Sequence, residues 1–166
     1  MPVELRKIGS QGLLASSLGY GAMGLTAFYG PPTPDDESMK VIKRCLDLGV
    51  NFFDTAEVYK SKVLGDDGNP LTNESVIGKA VKLYGREKFV IATKHVPGGM
   101  LGQKCETKED LRNVIRTACC NSLKELGIKT IDLYYLHRLY TKFEIEDVME
   151  IFKELVAEGK VKYVGL

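Results

Sequence analysis

The strongest constraint on the fold is a regular alternation between short apolar segments and longer segments with helical periodicity. Apolar runs predict strands at Ser17–Tyr20, Val50–Asp54, Phe89–Thr93, Ile131–Leu136 and Val161–Leu166. Segments with helical spacing of apolar residues lie between them and predict helices at 35–48, 73–84, 107–126 and 145–157. Strands joined by helices of this length form βαβ units with right-handed crossovers, so the sequence predicts an α/β fold with a parallel sheet.

A β-hairpin is predicted ahead of this alternation. Val3–Ile8 and Leu13–Leu18 alternate apolar and polar residues around a glycine-containing turn. The segments 21–34 and Lys60–Thr72 lack such patterns and are predicted as loops, the first rich in glycine and proline and the second polar. The chain has 166 residues and is 44% hydrophobic, which is enough to bury a core, so we interpret 1–166 as one domain.

Charge and cysteine content exclude several classes of function. The 23 basic and 22 acidic residues give a net charge of +1, which removes the electrostatic basis for binding nucleic acid or an anionic membrane. No segment approaches the roughly 20 apolar residues of a membrane span. Four cysteines without a Cys-x-x-Cys pair, together with two histidines, give no metal-ligand pattern. We expect no metal, and a reducing, cytoplasmic location.

Titratable side chains follow three neighbouring strands of the predicted sheet. Asp54, Lys94 and His137 each stand at the end of a strand, and Tyr59 lies in the loop that follows Asp54. In parallel α/β folds, ligands bind beyond the carboxyl ends of the strands. Four reactive side chains at this one edge therefore predict a functional site.

Each of these residues also has a structural interpretation when it is taken alone. Asp54 could cap a turn, Tyr59 could pack as an aromatic, and Lys94 could be a solvated strand end. His137 could be a structural histidine, and His95, which points to the opposite side of the backbone from Lys94, is interpreted as structural. The order and placement of the four together favour the functional interpretation.

Two short patterns suggest a different dehydrogenase fold and are set aside. Gly19-x-Gly21-x-x-Gly24 matches the dinucleotide-binding fingerprint, but that fingerprint must open a helix, and here a proline-rich loop follows. Tyr84-x-x-x-Lys88 matches a tyrosine–lysine pair that must share one helix face, whereas Gly85 ends the helix. A Rossmann-type dehydrogenase is therefore disfavoured.

The chain resembles the N-terminal part of the aldo-keto reductases over its whole length. The resemblance is carried, in order, by Leu18-Gly-Tyr-Gly-Ala-Met-Gly24, Gly49-Val-Asn-Phe-Phe-Asp-Thr-Ala-Glu-Val-Tyr59, Ile91-Ala-Thr-Lys94 and Ile131-Asp-Leu-Tyr-Tyr-Leu-His137. The first segment is most similar to the branch that contains plant and fungal reductases and potassium-channel β subunits. The resemblance implies an NADPH-dependent (β/α)8 barrel that reduces aldehydes or ketones and whose N-terminal hairpin closes the barrel bottom.

The resemblance also implies the role of each site residue. Asp54, Tyr59, Lys94 and His137 would be catalytic, and Tyr59 and His137 would contact the small carbonyl substrate. Gly21, Ala22, Met23 and Asp54 would contact NADPH.

This assignment is chemically reasonable. A carbonyl that accepts hydride needs a proton donor, and a phenol, with a pKa of about 10, is too weak unless a nearby ammonium stabilises the phenolate. Lys94 would be that ammonium for Tyr59, Asp54 would pair with Lys94, and His137 would donate a hydrogen bond to the substrate oxygen.

The chain departs from the family in two respects. Lys60 follows the tyrosine where the family usually has glycine, so the resemblance does not determine the local geometry or the substrate pocket. Only an N-terminal hairpin and the first five barrel strands are predicted, which is an incomplete barrel lacking the loops that usually build the phosphate site. The chain is thus expected to be truncated after the fifth strand and to have little activity alone. The alternatives are a fragment or a noncatalytic NADPH-binding regulatory module, with self-association through the open barrel edge.

Overall fold

The computed structural model describes residues 3–64, 70–97, 102 and 104–166. The helices are α1 (Asp35–Asp47), α2 (Asn73–Tyr84), α3 (Lys108–Leu126) and α4 (Ile145–Ala157). The strands are β1 (Leu5–Ile8), β2 (Leu13–Ser16), β3 (Gly19–Gly21), β4 (Phe52–Asp54), β5 (Lys60–Leu64), β6 (Pro70–Thr72), β7 (Val90–His95), β8 (Ile131–Leu136) and β9 (Val161–Gly165). All four helices have the predicted bounds to within one residue, and strand β8 has them without change.

Five of these strands form one parallel sheet in the order β3-β4-β7-β8-β9. Each strand after β3 is reached through a helix, which confirms the predicted βαβ organisation. The sheet pairs Gly21 with Asp54 and Lys94 with Tyr135, so the carboxyl ends of the strands lie along one edge. Helix starts and ends follow the sequence signals: Thr107 caps α3 with a capping box, and Gly127 ends it in the left-handed conformation.

The main core lies between the sheet and the helices. Phe53, Ile91 and Tyr134 project from the strands into this layer, where Ile77, Ile115 and Phe152 from the helices are fully buried. Contact between α2 and α3 is close at Gly78. A Cβ atom at that position would lie 2.6 Å from the carbonyl oxygen of Glu125, so the two helices approach at a distance that requires glycine.

The predicted N-terminal hairpin is confirmed, and it covers part of the other sheet face. Strands β1 and β2 pair antiparallel, with Ile8 opposite Leu13. Leu13 packs with Ala92 and Leu133, which belong to the face of the sheet that is turned away from the helices. The hairpin therefore buries apolar surface that the helices do not reach.

Three local predictions need correction. The segment predicted as a polar loop at Lys60–Thr72 contains an antiparallel ribbon of β5 and β6 with an irregular register, and its residues 65–69 lie outside the described residues. The sequence did not reveal this ribbon because its polar residues show no strand-like alternation, although Leu71 of β6 packs against the main core. A single 3-10 turn, Ala22–Leu25, follows β3 inside the predicted loop 21–34. Strand β7 extends two residues further than predicted, to His95, because Lys94 and His95 also pair with β8.

A buried ion cluster joins three elements at the amino-end edge of the sheet. Asp132 at the start of β8 is 6% exposed and accepts hydrogen bonds from Arg86 Nη2 at 2.5 Å and from the backbone N–H of Ile91 at 2.9 Å, both at Oδ2. Its other oxygen accepts from Lys162 Nζ at 2.7 Å. Both carboxylate oxygens are thus used within the chain, which ties β7, β8 and β9 together.

Candidate active site

An ion pair between Asp54 and Lys94 stands at the carboxyl-end edge of the sheet. The strands β4 and β7 are neighbours, and Lys94 Nζ donates to Asp54 Oδ1 across them. The same ammonium donates to the backbone oxygen of Thr55 at 2.8 Å. The lysine side chain is only 14% exposed, so its charge depends on these two acceptors for its stability.

Tyr59 completes this pair from the loop that follows β4. Its phenol oxygen lies 3.3 Å from Lys94 Nζ, and its side chain is 8% exposed. The backbone oxygen of Tyr59 accepts from the backbone N–H of Asn73 at 2.8 Å and from Thr26 Oγ1 at 3.1 Å. These bonds fix the backbone from which the phenol projects, so the hydroxyl is held beside a buried ammonium.

His137 lies on the other side of the Tyr59 ring. Its ring meets the tyrosine ring edge to face, with centroids 5.9 Å apart at 87°. Burial, followed by the charges of Lys94 and Arg138, lowers the pKa of His137 below its usual value, so the imidazole is neutral near pH 7. A neutral imidazole has one N–H donor and one acceptor, and Nδ1 is buried without a hydrogen-bond partner among the described residues.

The first-strand residues that were expected to contact a cofactor differ in exposure. Gly21 ends β3 beside Asp54 and is open to solvent, since a Cβ atom placed there would meet nothing within 4 Å. Met23 is half-buried and packs against the small cluster that contains Tyr59. Ala22 is fully buried, and its backbone oxygen accepts from Asn73 Nδ2 at 2.7 Å. Ala22 thus supports the loop from within and presents no exposed surface to a ligand.

Sequence reasoning missed Asn73 as a supporting residue because it was interpreted only as the start of a helix. Asn73 is fully buried and bonds to the side chain of Thr55, to Thr26 and to the backbone of Ala22. These contacts join the loops after β3 and β4 to the N-terminus of α2. The signal in the sequence is weak, since an asparagine before a helix usually serves only as a cap.

Phe28 was also missed. Its φ of 70° is the one positive value at a non-glycine position in the described part of the chain, and its side chain is 73% exposed. The ring meets Tyr59 edge to face, with centroids 6.3 Å apart. The predicted loop 21–34 gave no sign of this contact, because periodicity does not report on irregular backbone.

Comparison with known families decides the ancestry of this site. The model described as "Aldo/keto reductase family" matches residues 17–166. The chain belongs to the aldo-keto reductase family. It is 41% identical over 162 residues to the "Probable aldo-keto reductase 1" of Glycine max, and the match covers 96% of this chain and 43% of that protein.

Solved aldo-keto reductases have the same fold. The apo form of an aldo-keto reductase from Bacillus halodurans superposes with a TM-score of 0.70 at 29% identity, over 98% of this chain and 47% of that one. An aldo-keto reductase from Klebsiella pneumoniae, solved in complex with NADPH, gives 0.70 at 26% identity over 99% and 49%. The chain thus spans about half the length of these relatives.

Two further findings describe the surroundings of the site. Within the described ranges, no group of three or more His, Cys, Asp or Glu side chains is arranged to hold a metal ion. No helix in that part of the chain is long and apolar enough to span a membrane.

Proposed function

We propose that this chain carries the proton-transfer site of an NADPH-dependent aldo-keto reductase that reduces small aldehydes or ketones to alcohols. The observation that carries the proposal is the placement of the Tyr59 hydroxyl 3.3 Å from the Lys94 ammonium, which is itself paired with Asp54. This arrangement suits a phenol that donates a proton, since the ammonium stabilises the phenolate left behind.

The residues present fit a nicotinamide cofactor at the edge of β3. The space over Gly21 is open, and one oxygen of Asp54 pairs with Lys94, which leaves the other available to accept from a ribose hydroxyl. Gly21 and Met23 would line one side of the cofactor, with buried Ala22 holding their loop in place, and Asp54 would line the other. A bound NADPH would supply the hydride. The family relative from Klebsiella pneumoniae, solved with NADPH, supports this choice of cofactor.

The chain's own residues provide the rest of the chemistry. Neutral His137 donates a hydrogen bond to the carbonyl oxygen and orients it, while Tyr59 gives that oxygen a proton as negative charge develops. Lys94 holds the resulting phenolate, and Asp54 and the backbone of Thr55 keep the ammonium in place. Burial of Tyr59 and Lys94 limits water around the proton, which strengthens these electrostatic interactions.

The five-stranded sheet is consistent with the first five strands of a (β/α)8 barrel. In that fold the phosphate site usually lies in the loops after the seventh and eighth strands. We infer that the chain by itself holds NADPH weakly and turns over slowly compared with relatives of twice its length. Its Tyr59-centred site is nevertheless complete.

The test combines NADPH binding with aldehyde reduction by the whole chain. We expect weak quenching of NADPH fluorescence and a slow reduction that Tyr59→Phe lowers by about 10²–10⁴-fold, the usual value of a general acid. Tyr84→Phe is the matched control, because that hydroxyl bonds to Met39 O at 3.1 Å, in the helix layer, and should leave the rate unchanged.

Three outcomes would revise the proposal. Reduction that survives Tyr59→Phe would exclude Tyr59 as the acid. Micromolar NADPH binding with Tyr59-dependent turnover would show that the chain alone is a competent enzyme. Tight NADPH binding without turnover would instead indicate a noncatalytic regulatory module.

A further inference from the structure

A second polar cluster lies directly behind Lys94, on the helix-facing side of β7. His95 is 1% exposed, and its ring has a polar contact at each nitrogen. Nε2 lies 2.7 Å from the hydroxyl of Tyr140, and Nδ1 lies 3.0 Å from Oε1 of Glu57. The His95 and Tyr140 rings are also stacked, with centroids 6.0 Å apart at 27°. Nothing in the proposed proton transfer uses these side chains.

The cluster connects the loop after β4 to β7. Glu57 stands two residues before Tyr59, and its carboxylate accepts from the backbone N–H of Val96 at 2.5 Å. Its own backbone N–H approaches the backbone oxygen of Lys94 at 3.4 Å. The segment that delivers the phenol is therefore attached, at both backbone and side chain, to the strand that delivers the ammonium.

The same cluster reaches the segment after β8. Tyr140 stands three residues beyond His137, and its ring packs edge to face on Phe143 at 5.7 Å. The backbone N–H of His137 donates to the backbone oxygen of His95 at 2.8 Å. His95 thus contacts the segments of both Tyr59 and His137, from the position next to Lys94.

We propose that Glu57, His95 and Tyr140 form a positioning triad that sets the relative placement of the three segments carrying Tyr59, Lys94 and His137. Each member comes from a different segment: Tyr140 bonds to the buried imidazole at Nε2, and Glu57 lies within ion-pair distance of Nδ1. A geometry in which proton donor, ammonium and substrate-orienting histidine must agree to about 0.5 Å needs such support. The catalytic meaning of the triad rests on the proposed function, but its existence does not.

The chemistry of the three groups favours one proton position at His95. Nδ1 lies 3.0 Å from Glu57 Oε1 but is not aligned for a hydrogen bond with it. A carboxylate oxygen can only accept, so hydrogen on Nδ1 is compatible with Glu57, whereas Nε2 can accept from the Tyr140 hydroxyl. Other titratable groups of this buried layer come from α2, α3 and β8, namely Glu74, Cys119 and Tyr134. With these neighbours the ring is enclosed on the helix side, and we expect one tautomer rather than a mixture.

The first test observes this proton directly in the unmodified chain. The sequence has only two histidines, so a long-range proton–nitrogen NMR spectrum assigns His95 by comparison with His137→Gln. We expect His95 to keep hydrogen at Nδ1 in a single, slowly exchanging form at pH 7. An imidazole that averages rapidly between tautomers would overturn the triad.

The second test asks whether a change in one segment is felt in the others. Tyr140→Phe removes the bond at Nε2, and Glu57→Gln removes the carboxylate charge beside Nδ1. We expect each to accelerate hydrogen exchange at the amides of both Tyr59 and His137 by about fivefold or more. Tyr84→Phe, which removes a comparable hydroxyl bond elsewhere, is the control. Acceleration confined to the substituted segment would mean that each residue acts only locally and would overturn the proposal.

These readouts need neither cofactor nor substrate. If His95 has the expected tautomer and the exchange effects cross between segments while Tyr59→Phe leaves reduction unchanged, the proposed function fails and the triad stands. If Tyr59 is required for reduction but the exchange effects stay local, the triad fails and the proposed function stands.

Discussion

Two carboxylate clusters lie at opposite ends of the strands of the same sheet, and they differ in how many carboxylate oxygens accept hydrogen bonds within the chain. At the amino-end edge, Asp132 is 6% exposed and both its oxygens are bonded, to Arg86, Lys162 and a backbone N–H. At the carboxyl-end edge, Asp54 is 35% exposed and pairs with Lys94 through one oxygen. An aspartate thus pairs with cationic side chains at both ends of the sheet, but it is buried at one end and partly exposed at the other.

The difference shows how one sheet separates stability from chemistry. A carboxylate whose lone pairs are all used inside the chain can only hold elements together. A half-used carboxylate beside a buried ammonium and a phenol retains capacity for an outside partner. The residues that stabilise the sheet and the candidate site residues thus lie at different ends of the strands, as is usual for parallel α/β folds.

The largest expected effect on stability comes from the cluster around Asp132. Asp132→Asn leaves Arg86 and Lys162 without their charge partner next to a buried backbone N–H, and we expect a loss of about 3 kcal/mol in the free energy of unfolding. Asp54→Asn leaves Lys94, which is 14% exposed, with neutral oxygen acceptors, one of them the backbone oxygen of Thr55, and we expect a smaller loss of about 1–2 kcal/mol. Urea unfolding of both variants measures the pair. Equal losses would contradict the division between the two ends.

Glu74 provides an intermediate case, a buried carboxyl with no ion-pair partner in the described part of the chain. Burial raises the pKa of Glu74 from 4.5 to about 7, with the hydrogen bond from Thr93 opposing the shift. Because the folded state holds this proton more tightly, the group's stabilisation is full below about pH 4.5 and is lost as pH rises through about 7. Glu74→Gln should remove a stability decrease of at most about 3 kcal/mol between those limits.

Unfolding experiments at pH 5 and pH 8 measure this difference, and Glu150→Gln on the exposed side of α4 is the matched control. Relative to the unmodified chain, Glu74→Gln should be more stable at pH 8 than it is at pH 5. Parallel curves for the two proteins would mean that Glu74 is ionised in the folded chain without a cost in stability.

The smallest expected effect is a change in the pKa of His137 when the charge of Lys94 is removed. Lys94 contributes, after burial, to the lowered pKa of His137, so Lys94→Met should raise that pKa toward its usual value. Lys162→Met removes a lysine from the other end and should leave it unchanged. NMR titration of the His137 ring protons measures both. A response to Lys162 rather than Lys94 would reverse the assignment of the two ends.

The sign of the related stability change follows from the same shift. His137 prefers its neutral form in the folded chain, so the unfolded chain binds a proton first as pH falls below about 6.5. Stability is lost in that range, in the direction opposite to the effect of Glu74. Glu74→Gln and Lys94→Met therefore separate two contributions to the pH dependence of stability that partly cancel in the unmodified chain.

Much of the fold could be predicted from local pattern. The helix Asn73–Tyr84 and the strand Ile131–Leu136 were predicted with their observed bounds, because continuous periodicity and capping residues encode them directly. The ribbon of β5 and β6 could not, since its polar side chains do not alternate against a core and its pairing is irregular. Bonds between distant residues, such as Arg86 with Asp132, leave no local trace.

The candidate site shows the same limit. The sheet topology alone brings Asp54 and Lys94 to one edge, and the structure places Tyr59 and His137 beside them, as expected from the strand ends. His95 was correctly separated from Lys94 by the alternation of a strand. Its partners Glu57 and Tyr140 lie 38 and 45 residues away in the sequence, and only the folded chain joins them.

The close approach of α2 and α3 at Gly78 has a consequence for mutational surveys. Helix α2 begins with Asn73, whose backbone N–H bonds to the backbone oxygen of Tyr59, so a side chain at position 78 would displace the helix that anchors the phenol's loop. A saturation scan scored by the proposed reduction would therefore rank this glycine with the proposed catalytic residues, although it faces another helix. Distance from the substrate is a poor guide to functional sensitivity in this chain.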